Sequence, residues 1–145
     1  MATERRAEVT WQGDLLSGAG TIESVGSGAF HGLAVTWAAR AEDGQTGKTS
    51  PEELIAAAHA SCFCMALSGG LAKAGHPPEA LSVTATVTFV PGTGITRSVL
   101  DVTGSVPGLD ETAFRGAAEA AKENCPVSKA FSGNVELAVS ARLAG

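Results

Sequence analysis

Three thiols are the side chains in this sequence best suited to covalent chemistry, and their positions set them apart: Cys62, Cys64 and Cys125. A thiolate is both a nucleophile and a redox centre, whereas a thiol in apolar surroundings is only a small hydrophobe. On a helix, residues i and i+2 point roughly 200° apart, so Cys62 and Cys64 cannot join without unwinding it. Cys125 precedes Pro126, and a residue before proline is pushed out of helical geometry, which frees its backbone to turn the sulfur toward another element. Burial within an uncharged stretch raises the pKa of a thiol such as Cys62. Because Cys62 does not sit at the start of its own helix, a reactive sulfur there needs a nearby cation. The candidates are Arg40 and His59. His59 lies three residues before Cys62, on nearly the same helix face. It reads either as a dyad partner or as a core histidine with satisfied nitrogens. Glu53 completes a capping box and Glu52 gains from the helix dipole, so neither requires a function. A metal site built from His59, Cys62 and Cys125 fits no usual zinc spacing.

These residues must be positioned by elements that the sequence pattern marks out. Ala7, Val9 and Trp11 alternate with polar neighbours, residues 21–25 follow a Gly-rich turn, and Leu33, Val35 and Trp37 alternate up to Arg40. Each reads as a half-buried antiparallel strand, and a polar loop over 41–49 follows. Ser50 as N-cap, Pro51 as first helical residue and Glu53 three positions after the cap give a strong helix start. Residues 54–71 carry no formal charge. That length touches the lower limit for a membrane span, but Gly69, Gly70, His59 and two serines make it weakly apolar for that role. A helix apolar all round belongs in a core. Gly75 and the Pro77-Pro78 pair stop it. Alternation then predicts strands over 81–89 and 95–106, Asp110 caps a second helix, a short helical segment runs to Phe131, and a last strand covers 135–141. The order β-β-β-α-β-β-α-α-β predicts an α+β fold in one domain over residues 1–145, an antiparallel sheet wrapped around a buried central helix.

Composition narrows the function. A net charge of −5 and the lack of any Lys/Arg cluster argue against nucleic acid. The opening MATERRAEVT is charged but leads into no apolar run, so no secretory peptide or membrane association is expected. An odd number of cysteines then points to a reducing compartment, the cytoplasm.

The run T-S-P-E-E-L-I-A-A-A-H-A-S-C-F-C-M-A-L over 49–67 resembles the central helix of the OsmC/Ohr family of hydroperoxide reductases. The run E-N-C-P-V-S-K-A over 123–130 resembles the segment that carries the family's other cysteine. The pairing of P-E-E-L with H-A-x-C, in place of P-E-Q-L-F with Y-x-A-C, is similar to the OsmC branch. The resemblance implies that Cys62 is the peroxidatic thiol and Cys125 the resolving one, with Arg40 and Glu52 as catalytic partners. It further implies an intertwined homodimer, an organic hydroperoxide substrate, an external thiol or dithiol reductant, and no cofactor or metal. Cys64 departs from the pattern, since related sequences often have serine there. A non-catalytic protein of the same fold that binds apolar ligands is the alternative.

Overall fold

Apolar side chains spaced two apart build the first strands as expected. In the computed structural model, which describes residues 1–144, β1 (Ala7–Gln12), β2 (Ala19–Val25) and β3 (His31–Val35) pair antiparallel in that order. The third strand does not reach Arg40. It stops at Val35, and α1 (Trp37–Ala41) follows. Thr36, in extended geometry, caps this helix by accepting a hydrogen bond from the Ala39 N–H at 3.1 Å. Alanine suits either face of a strand and favours a helix, so the alternation through Ala34 and Ala38 carried no strand information.

The long helix α2 (Pro51–Lys73) starts where the cap signals put it. The Ser50 hydroxyl accepts from the Glu53 N–H at 3.1 Å, but the Glu53 carboxylate accepts from the Thr49 hydroxyl at 2.9 Å, leaving the box unreciprocated. Its end is a Schellman turn. Gly75 takes φ +86°, the His76 N–H donates to the Leu71 carbonyl at 2.9 Å, and the Gly75 N–H donates to that of Ala72 at 3.0 Å.

Beyond it, β4 (Ala80–Val90) and β5 (Gly94–Ser105) form an antiparallel hairpin. Next come α3 (Glu111–Asn124), α4 (Pro126–Phe131) and β6 (Glu136–Leu143). Strand β6 pairs with β5 in parallel. The α+β class stands, but the expected antiparallel sheet is two three-stranded sheets, the second of them mixed. The helices between β5 and β6 supply the long crossover that a parallel pair requires.

One stripe of α2, Phe63, Leu67 and Leu71, packs with Leu100 and Val102 of β5 and Phe114, Ala118 and Ala121 of α3. The helix is long and apolar enough by composition to cross a membrane, yet this stripe is part of a protein core. Its opposite face is left uncovered by the described residues. Ala58, Ser61 and Gly69 are exposed, and Met65 is 74% exposed. The expectation of burial all round is therefore not met by one chain alone, since a single sheet and helix cover a single stripe. Two compact units can be distinguished, Met1–Leu54 and the remaining described residues.

Candidate active site

Cys125 occupies the junction between two helices. Its N–H closes the last turn of α3 on the Ala121 carbonyl at 2.9 Å, and its own carbonyl accepts the Lys129 N–H of α4 at 3.0 Å. Its ψ of 127° is the extended value that Pro126 imposes. Proline, lacking an N–H, ends one helix and opens the next. The buried Cys125 sulfur is thereby turned from the helix ladder toward α2, where it neighbours the Cys62 thiol. Both thiols are free.

Cys62 is half-buried, and its surroundings pull in two directions. Burial and the neighbouring Cys125 thiol push its pKa up, while the nearby Val127 N–H favours the thiolate. The sequence placed Cys62 away from the start of its own helix, correctly. It did not anticipate that the sulfur meets the start of another. Pro126 as first residue of α4 was the available signal, because the N–H groups just inside such a start have no partner in their own helix.

His59 is fully buried and is a core histidine with both nitrogens engaged. Nδ1 lies 2.7 Å from the Ser98 hydroxyl on β5, Nε2 lies 2.8 Å from the Ser128 hydroxyl on α4, and the ring meets Phe131 edge-on at 5.3 Å. Burial lowers its pKa. These partners occupy the nitrogens that a dyad with Cys62 or a metal would use. Ser98, Ser128 and the Val127 N–H are site groups that the sequence reading missed.

Arg40 and Glu52 are brought together within the first unit. Nε and Nη2 of Arg40 both reach one carboxylate oxygen of Glu52, at 2.9 and 2.8 Å. Glu52, as the second residue of α2, is held by its own helix; Arg40 is presented by α1 rather than by a strand end. The second Glu52 oxygen is buried without a hydrogen-bond partner among the described residues, an arrangement that calls for an explanation in any folded protein. Cys64 points elsewhere than Cys62. It lines a shallow trough of about 590 Å³ with Met65, Ser68, Pro78 and Leu81, and burial raises its pKa.

The chain is similar to known proteins over most of its length. The OsmC-like protein family matches residues 43–140. Peroxiredoxin OsmC of Escherichia coli is 39% identical over 140 residues, covering 94% of this chain and 96% of that protein. Among solved structures, the organic hydroperoxide resistance protein OhrB of Bacillus subtilis superposes with a TM-score of 0.69 at 27% identity, covering 94% of this chain and 98% of that one. An organic hydroperoxide resistance protein OsmC from Legionella pneumophila gives 0.67 at 26% identity, over 94% and 96% of the two chains.

Proposed function

The chain belongs to the OsmC-like protein family, and from that premise we propose that it is a thiol-dependent peroxidase that reduces organic hydroperoxides to alcohols. The names of its relatives support a peroxidase-type enzyme in hydroperoxide metabolism. The observation that carries the finer reading is the contact between Cys62, Cys125 and the Val127 N–H. In the proposed cycle the Cys62 thiolate attacks the outer peroxide oxygen. The O–O bond breaks, an alcohol leaves with a proton, and Cys62 becomes a sulfenic acid. Arg40, oriented by Glu52, would stabilise the thiolate and the charge developing on the leaving oxygen. Cys125 then displaces hydroxide to give a Cys62–Cys125 disulfide, which an external thiol or dithiol reduces. The scheme requires no cofactor. A homodimer in the cytoplasm is the expected working form, and the uncovered face of α2 supports the dimer.

The test is thiol-dependent turnover of an alkyl hydroperoxide by the protein and three variants. Cys62→Ser should abolish turnover. Cys125→Ser should oxidise once and then fail to cycle with a dithiol. Cys64→Ser should stay within about twofold of the parent, as a substitution away from the reacting atoms. Equal losses at Cys62 and Cys64, or no turnover by the parent, would overturn the proposal.

A further inference from the structure

We propose that His59 is a positioning residue: by bonding Ser98 and Ser128 it clamps the first turn of α4 against α2, and so sets how readily Cys62 and Cys125 join. The inference rests on reading those two cysteines as a redox pair. It concerns what holds them together, which that reading leaves open.

Helix α4 has six residues and no side-chain bond at its N-cap. A helix this short has no stability of its own, so its place is decided by tertiary contacts. The His59 ring supplies two of them, through the Ser128 hydroxyl at 2.8 Å and the edge of Phe131 at 5.3 Å. On its other side the ring is anchored to β5 through Ser98 at 2.7 Å. The geometry converts this anchoring into control of the sulfurs. His59 and Cys62 sit about one turn apart on the same helix, so ring and sulfur move as one body. Ser128 lies three residues after Cys125 and next to Val127, so the serine and both groups that meet Cys62 also move as one body. The His59–Ser128 bond therefore bolts the segment bearing one sulfur to the segment bearing the other. Burial keeps the ring neutral, with one nitrogen donating and one accepting. Serine hydroxyls serve either need. With both nitrogens used, the ring holds the site and does not deprotonate Cys62.

The step it would govern is closure of the disulfide. The Cys125 sulfur bonds to the Cys62 sulfur, the S–O bond of the sulfenic acid breaks, and hydroxide leaves with the thiol proton as water. A second hydroperoxide competes for the same sulfenic acid and would carry it to the sulfinic acid. Holding the two sulfurs in contact favours closure by raising the effective concentration of one at the other.

The experiment titrates the Cys62–Cys125 pair in mixtures of reduced and oxidised glutathione, using the full chain with Cys64→Ser as background. Ser128→Ala should lower the equilibrium constant for the disulfide about tenfold, roughly 30 mV. Ser128→Thr, which keeps the hydroxyl, should restore it. Val102→Ala loses core packing but keeps the clamp, and should lower the melting temperature without moving the constant. Sulfinic acid at Cys62 after excess alkyl hydroperoxide should rise in Ser128→Ala alone. An unchanged constant in Ser128→Ala, an equal change in Val102→Ala, or a parent that forms no disulfide in oxidised glutathione would each overturn the clamp. A parent that closes the disulfide with oxidised glutathione but not with hydroperoxide would overturn the peroxidase reading and leave the clamp standing.

Discussion

The two sheets have the same number of strands and opposite relations to a core. In the first, β1 is exposed at every residue, and on β2 only Gly20 and Ile22 are buried. Val9 and Trp11 alternate as core residues should, yet they are 56% and 42% exposed. In the second, β5 buries Ser98, Leu100, Val102 and Gly104 on one face. The amphipathic helix α3 brings Phe114, Ala118 and Ala121 to the same core. Apolar alternation states that a face needs a cover; it does not state that the chain supplies one. The difference does not extend to the glycines that meet an aromatic ring. A Cβ added at Gly104 would lie 2.5 Å from the fully buried Phe114 ring, and one at Gly20 would lie 2.6 Å from the half-exposed Trp11 ring. The two distances are nearly alike, and at Gly20 the exposed Trp11 could swing aside, but Val35 at 2.8 Å and the Thr10 carbonyl at 3.1 Å also crowd the added carbon.

The comparison can be broken most directly at the aromatic rings. Phe114→Ala should cost about 3–5 kcal/mol in chemical denaturation, because it opens a cavity in a packed core. Trp11→Ala should cost no more than about 1 kcal/mol. Equal losses would mean that the first sheet has a core of its own. At the glycines, Gly104→Ala should cost about 1–3 kcal/mol by forcing Phe114 and Leu81 apart. Gly20→Ala should also cost about 1–3 kcal/mol, because moving Trp11 aside leaves the clashes with Val35 and the Thr10 carbonyl in place.

Acid sharpens the contrast, because the second unit holds a buried histidine. Burial lowers the pKa of His59 below its ordinary value of 6.5. Above that value the ring is neutral in both the folded and unfolded states, and stability is complete. Below it the unfolded chain binds a proton that the folded chain refuses. Stability then falls by at most about 1.4 kcal/mol per pH unit until the folded pKa is passed. Unfolding free energies at about pH 7.5 and about pH 5.5 should show that slope, and His59→Gln should flatten it. A slope unchanged in the variant would assign the effect to other groups. The smallest contrast lies at the caps. Asp110 accepts the Ala113 N–H at 2.8 Å to start the 14-residue α3, and Thr36 accepts the Ala39 N–H at 3.1 Å to start the five-residue α1. Asp110→Ala should cost about 1 kcal/mol. Thr36→Ala should cost less in global unfolding, since so short a helix contributes little. A larger loss at Thr36 would show that α1 carries more of the fold than its length implies.

What the sequence determined by itself was local. Ser50, Pro51 and Glu53 announced the start of α2, and Gly75 its end, because free backbone groups at a helix terminus demand particular residues within one turn. The Asp110 cap, the break at Cys125 and most strand positions were legible for the same reason. The opposed faces of Cys62 and Cys64 followed from helical pitch alone. Tertiary structure decided what lies across the chain. The parallel pairing of β6 with β5 depends on where the α3–α4 crossover returns. Its register brings no residue type that a strand pattern would flag. The ring of His59 finds serines 39 and 69 residues away, and Cys62 meets Cys125 and Val127 at the start of a different helix. Periodicity tells which face of an element is apolar, and capping residues tell where the element begins. Neither carries information about which distant hydroxyl packing will bring within 3 Å, or which thiol it will bring alongside, because the folding of the intervening segments sets those distances.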